Sequence, residues 1–171
     1  TSPTAYGTLK LAFDAINAGT HTGSISIEVC GNSTETVTAS LSSSGTGSAS
    51  YTDVTIRPVG GARIIDGSIV GAIVKLNGAD NVTIDGRQGG AGTARDLTVR
   101  NNNTSTATAA IWLASVAAGN GASNNIVRNL EIAAGQTANA GTNTTIGVYM
   151  GGTTISLTAT DGNDNDNNQF I

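Results

Sequence analysis

Between Ile73 and Ile132 the chain alternates short apolar runs with polar breaks. Ile73-Val74-Lys75-Leu76, Asn81-Val82-Thr83-Ile84-Asp85-Gly86, Asp96-Leu97-Thr98-Val99, Ala110-Ile111-Trp112-Leu113 and Asn129-Leu130-Glu131-Ile132 follow one another, each with apolar residues two apart. Period-two alternation predicts strands with one dry and one wet face. The runs return at a spacing of 19: Val54 to Ile73, Ile65-Asp66-Gly67 to Ile84-Asp85-Gly86, Ile111 to Leu130, and Leu130 to Tyr149. A strand unit that recurs with no helix between copies predicts stacked coils, each one strand spacing above the last. The expected fold is an all-β solenoid, a parallel β-helix.

One segment has a different period. In residues 8–19, Leu9, Ala12, Phe13 and Ile16 fall on one face of a helix, Thr8 stands where an N-cap belongs, and Gly19 where a C-terminal glycine belongs. Coming before the first strand, this amphipathic helix is expected to cap the first coil. Strands are expected at 24–30 (Ile25, Ile27 and Val29 inward), 36–41 (Val37, Ala39 and Leu41 inward) and 53–58, which Pro58 ends. Residues 42–50 read as a Ser/Gly excursion, and 101–107, 117–125 and 137–145 as polar insertions that would share a binding face. The last strands are expected at 146–150, with Val148 and Met150 inward, and at 155–157. Phe170, 38 positions past Ile132, reads as the start of another coil without an end cap. The expected organisation is one domain over 1–171, with the cap helix at 8–19 and coils from 24 to 171 that continue or dock beyond residue 171.

Composition narrows the class. Only 12% of the 171 residues are charged and 4% aromatic, so Ser, Thr and Asn must carry solubility, and small β-branched residues must fill a narrow interior. Richness in Val, Ile and Thr argues against disorder. The net charge is −4 and the 8 Lys and Arg are scattered, which argues against nucleic-acid binding. No apolar run reaches the ~20 residues of a membrane helix. The first residue is Thr rather than Met, which fits a mature or trimmed form. Cys30 is the sole cysteine and is expected as a small residue at a strand end, with no internal disulfide.

The run Gly7-Thr-Leu-Lys-Leu-Ala-Phe-Asp-Ala-Ile-Asn-Ala-Gly19, followed by Gly23-Ser-Ile-Ser-Ile-Glu-Val29, resembles the opening of large bacterial surface proteins. Leu76-Asn-Gly-Ala-Asp-Asn-Val-Thr-Ile-Asp-Gly86 and Asn124-Asn-Ile-Val-Arg-Asn-Leu-Glu-Ile132 resemble the rungs of the same proteins. These are secreted or cell-surface right-handed parallel β-helix proteins of the pectin-lyase-like superfamily, of the kind found in Bacteroidetes-like bacteria. The resemblance implies a right-handed coil and an extracellular or cell-surface location. It is informative about fold and says little about activity.

Enzymes of that fold need clustered carboxylates with an Arg or Lys base, or three close Asp residues. Asp66, Asp85 and Asp96 are the carboxylates near strands, and the 19-residue spacing would stack Asp66 on Asp85. Asp-Gly at a turn explains the first two without chemistry. Arg100 and Arg128 read as surface arginines, and His21 as a solvated turn residue. Asp161, Asn163, Asp164 and Asp166 form an oxygen-rich run suited to Ca²⁺, although it lacks the EF-hand pattern. Trp112 alternates with Ile111 and Leu113, so it should face outward, where it is a candidate for stacking on a sugar. The expected role is non-catalytic: an extracellular structural or adhesive protein that associates with itself head to tail into filaments or contacts surface glycans. The alternative is a carbohydrate-binding or polysaccharide-degrading protein. No cofactor other than Ca²⁺ is expected.

Overall fold

The structure is a computed structural model that describes residues 4–135, 145–156, 158 and 164–171. It opens with helix α1 (Leu9–Asn17) and continues through thirteen strands: β1 (Thr22–Val29), β2 (Ser33–Glu35), β3 (Ala39–Ser42), β4 (Ser50–Pro58), β5 (Arg63–Gly67), β6 (Gly71–Asn77), β7 (Val82–Asp85), β8 (Leu97–Asn101), β9 (Thr108–Ala114), β10 (Ile126–Arg128), β11 (Leu130–Ala134), β12 (Thr145–Gly151) and β13 (Gln169–Phe170). A 3₁₀ turn, η1 (Gln88–Gly90), lies between β7 and β8. The strands form three parallel sheets. The first has the order β1-β4-β7-β10-β13, the second β2-β5-β8-β11, and the third β3-β6-β9-β12. The chain therefore visits the three sheets in fixed rotation, and every ladder joins one circuit to the next.

Register builds the core. Ile27, Ile56, Ile84, Val127 and Phe170 form one column through the first sheet. Ile65, Val99 and Ile132 form another through the second. Leu41, Leu76, Leu113 and Met150 form a third. Ile56, Ile65, Leu76, Ile84, Val99 and Leu113 are at most 1% exposed and belong to one apolar cluster. Burying each contributes roughly 1.5–3 kcal/mol. Met150 keeps the inward column position expected of it, yet is half exposed, because β12 is the outer strand of its sheet.

The 19-residue spacing is not the stacking period. Positions 19 apart lie in different sheets: Ile65 is in β5 of the second sheet and Ile84 in β7 of the first. Stacked positions are separated by a whole circuit, as in Ile27 on Ile56, Ile65 on Val99, and Ile84 on Val127. Each circuit has three strands of similar alternation, so the shorter spacing catches similar strands that are not neighbours. Phe170 consequently stacks on Val127 rather than answering Ile132. Of the strand expected at 36–41 only the second half forms, as β3, while β2 ends before it at Glu35 and Val37, expected inward, is exposed at the bend between the two. No strand includes Ile155 or Ser156, and Leu157 lies outside the described residues, as does nearly all of the insertion expected at 137–145.

Corners are held by asparagine. Asn81, Asn124 and Asn167 occupy equivalent places in successive circuits, all with left-handed backbone (φ 58°, 57° and 55°). Asn tolerates this conformation better than other residues with a side chain. Asn125 accepts from Val82 N–H at 2.8 Å and donates to Ala79 O at 3.0 Å, while Asn168 accepts from Asn125 N–H at 2.9 Å. Gly86 has no alternative: a Cβ there would lie 1.7 Å from the Asn129 carbonyl of the next circuit.

Helix α1 forms as its pattern predicts, with Leu9, Ala12, Phe13 and Ile16 buried and the Thr8 side chain accepting from Leu11 N–H. Two side chains dock it. The Glu35 carboxylate, 2% exposed, accepts from the first helical N–H groups, Leu9 at 2.9 Å and Lys10 at 3.1 Å, and from Ser33 Oγ at 3.1 Å. Negative charge at a helix N-terminus is favoured by the helix dipole. At the other end, the Asn17 amide donates to Ser40 O and accepts from Ser42 N–H, both at 2.9 Å, taking the place of a strand along β3.

Glu35→Ala is therefore expected to lower stability by roughly 1–3 kcal/mol, because Leu9 N–H is left buried without an acceptor. Glu35→Gln, which keeps one acceptor oxygen, should recover part of the loss. Urea unfolding followed by far-UV circular dichroism measures both, and an unchanged midpoint in Glu35→Ala would remove Glu35 from this role.

Candidate functional site

Two surfaces stand out, and both involve the first sheet. The first is the outer edge of β1. Helix α1 covers β2 through Glu35 and β3 through Asn17, but no strand among the described residues pairs with the outer side of β1. Ile25 and Ile27 are half-buried there. Between this edge and α1 runs a groove of about 1200 Å³ whose apolar lining includes Leu9, Ile16, Ile25, Ile27 and Val29. His21 is not a free turn residue. It borders the groove, its Nε2 is 2.6 Å from Tyr6 Oη, and the two rings meet edge to face. Cys30 is exposed at the end of β1 and is not in a disulfide.

The second surface is the outward row at the strand ends. Glu28 of β1 is in register with Arg57 of β4, and Asp85 of β7 with Arg128 of β10. Asp85 is completely buried although it lies on the outward side, because arginines enclose it. Oδ1 accepts from Arg87 N–H at 3.1 Å and from Arg87 Nε at 2.8 Å, and Oδ2 from Arg87 Nη2 at 2.9 Å. Oδ2 also accepts from Arg128 Nε at 3.0 Å. Arg57 Nε stands farther off, at 3.9 Å. Burial pushes the Asp85 carboxyl up, but the hydrogen bonds from Arg87 and the charges of Arg128 and Arg87 together outweigh it and bring it from 3.8 to about 2.

The other expected residues are dispersed. Asp66 does not stack on Asp85. It sits between Thr34 and Arg100 in the second sheet, accepting from Thr34 Oγ1 at 2.9 Å and from Arg100 Nη2 at 2.8 Å. The Arg100 hydrogen bond is the main reason its carboxyl lies below the usual range. Asp96 accepts from Gln88 Nε2 at 3.0 Å. These carboxylates are thus separated, and Asp66 and Asp85 are neutralised by arginine.

Asp161 and Asn163 lie outside the described residues. Asp164 accepts from Gly119 N–H at 3.2 Å and Ser115 Oγ at 3.4 Å, and the Asp166 N–H donates to Ser123 Oγ at 2.9 Å. Among the described residues no group of three His, Cys, Asp or Glu side chains is placed to hold a metal. Trp112 does point away from the cluster that contains Ile111 and Leu113, but it is only 7% exposed. Lys75 Nζ lies 4.0 Å above its ring and Tyr149 packs against it at 6.2 Å, stacked from β6 and β12. A sugar would have to displace one of these neighbours to reach the ring. Burial also lowers the Lys75 ammonium below its ordinary value.

Neither Glu35 nor the Arg57–Asp85–Arg87–Arg128 group follows from the 19-residue spacing. A signal for the second exists. Ser26-Ile27-Glu28, Thr55-Ile56-Arg57, Thr83-Ile84-Asp85 and Ile126-Val127-Arg128 lie at or one residue before the ends of their strands, each an apolar residue followed by a charge, with charges that alternate in sign.

Asp85 fixes an acid dependence. A carboxylate depressed in the fold contributes stability that is complete above its unfolded value near 4 and is lost as pH falls through its folded value near 2. The depression corresponds to roughly 2–3 kcal/mol. Asp85→Asn should be less stable than the parent at pH 6, and its stability should change less between pH 4 and pH 2. Chemical unfolding at several pH values tests this, and parallel curves for the two proteins would refute it.

No family model matches the chain, and neither the curated proteins nor the solved structures compared with it contain a match.

Proposed function

We propose that this chain is a right-handed parallel β-helix that serves as an extracellular or cell-surface structural element and associates end to end. The observation that carries this reading is the outer edge of β1, which lies beside an apolar groove and pairs with no strand among the described residues, while the neighbouring β2 and β3 are held by α1. The fixed rotation through three parallel sheets supports the β-helix. A free parallel edge takes up another strand readily. The occupant is a strand of a second copy. Phe170, half exposed on β13 at the opposite margin of the same sheet, heads the column that Ile27 ends at β1. Placing Phe170 of one copy over Ile27 of the next extends that column without a break and leaves α1 in place. Such a contact is head to tail and does not close on itself, so it gives a filament. Placement outside the cell rests on the resemblance of its capping segment and strands to surface proteins.

Electron microscopy across a concentration series of the native protein tests the assembly. Fibres of constant width are expected at high concentration, and Phe170→Lys should abolish them while leaving the circular dichroism spectrum unchanged. Isolated particles at every concentration, or fibres that persist in Phe170→Lys, would rule this contact out.

A further inference from the structure

The arginine group on the first sheet holds more donor capacity than its one carboxylate can use. Asp85 is shared by three guanidinium groups, and Arg87 and Arg128 supply all of its hydrogen bonds from side chains. The Arg57 side chain makes no hydrogen bond among the described residues. Its Nε is buried without a partner, while about a third of the side chain (35%) remains exposed. The group is not loose on the surface, because η1 closes over it: a Cβ on Gly90 would lie only 3.1 Å from Arg57 Cζ. Glu28, opposite Arg57 on β1, forms no ion pair with it among the described residues. A held, partly desolvated guanidinium with idle donors beside two more guanidiniums is short of an acceptor.

We propose that Arg57 binds an oxyanion, a sulfate or phosphate group, on the outer face of the first sheet, with Arg128 on the far side of Asp85. The planar guanidinium offers two parallel N–H donors to such a group, and Asp85 keeps the neighbouring arginines in place so that their repulsion does not scatter them. Burial under η1 strengthens the contact relative to a free surface arginine. The same chemistry is presented by the free inorganic ion and by a sulfated polymer. This assignment is independent of the filament reading, which concerns the edge of β1 and not this face.

Arg57 is also the right residue to alter, since its side chain makes no hydrogen bond among the described residues, whereas removing Arg87 or Arg128 would strip Asp85 of hydrogen-bond partners. Titration calorimetry with inorganic sulfate, with dextran sulfate and with uncharged dextran is the test. Inorganic sulfate should bind, uncharged dextran should not, and Arg57→Gln should weaken sulfate binding roughly tenfold. Arg57→Lys keeps the charge but not the fork and should bind more weakly than the parent, while the exposed Arg95→Gln should behave as the parent does. Tighter binding of dextran sulfate than of the free ion, equally sensitive to Arg57→Gln, identifies a polymer-borne group, and equal affinities identify the free ion. No sulfate binding, or binding of either form that Arg57→Gln leaves unchanged, overturns the assignment.

Discussion

Parallel, in-register stacking is the constraint from which the rest of this structure follows. Each residue lies about 4.8 Å above its counterpart in the previous circuit. Whatever occupies a position must therefore tolerate its own kind, or its complement, as nearest neighbour. For an inward position the solution is repetition. Ile27, Ile56 and Ile84 stack as one column, and similar branched side chains fill a narrow interior without voids. For a corner the solution is an amide. Asn125 and Asn168 carry a donor and an acceptor each, so a side chain from one circuit satisfies the backbone of the circuit before it.

Charge cannot be repeated in this way. Like charges at this spacing repel. The outward row of the first sheet instead alternates in sign, from Glu28 through Arg57 and Asp85 to Arg128. Arg87 enters from the turn after β7 and gives Asp85 its bidentate partner, which leaves Arg57 with only a long ion pair of 3.9 Å to the carboxylate and no hydrogen bond to it. The third sheet solves the same problem with a ring, setting the Lys75 ammonium against Trp112 rather than against another charge. The polar outer face is thus as strictly patterned as the core, even though few of its residues are charged.

This explains what the sequence reveals. Period-two alternation locates most of the strands but not β2, and the 3.6 period locates α1 with all four of its buried residues, because both follow from local backbone geometry. The stacking period is hidden. Loops of different length separate equivalent strands, so no fixed spacing links Ile27 to Ile56, Ile84 and Val127. What remains constant is an apolar residue followed by a charge near the end of the strand, and aligning these pairs brings Arg57, Asp85 and Arg128 into one row. Glu35 is harder to find. It stands in a three-residue strand, and only the position of α1 in space makes it a cap.

The helix also shows why one edge stays open. Nine residues of helix span about 13 Å, whereas the eight residues of β1 extend over about 26 Å. A single amphipathic helix has one apolar stripe and two ends. Here the stripe lies on the core, the N-terminus takes Glu35 from β2, and Asn17 at the C-terminal end pairs with β3. Nothing on the helix is left to satisfy the longest of the three edges. Among the described residues nothing pairs with the outer ladder groups of β1, and the apolar groove beside them, with Ile25 and Ile27 only half covered, is a poor surface to leave wet. Capping by a short helix and an edge competent to pair are therefore two consequences of the same geometry.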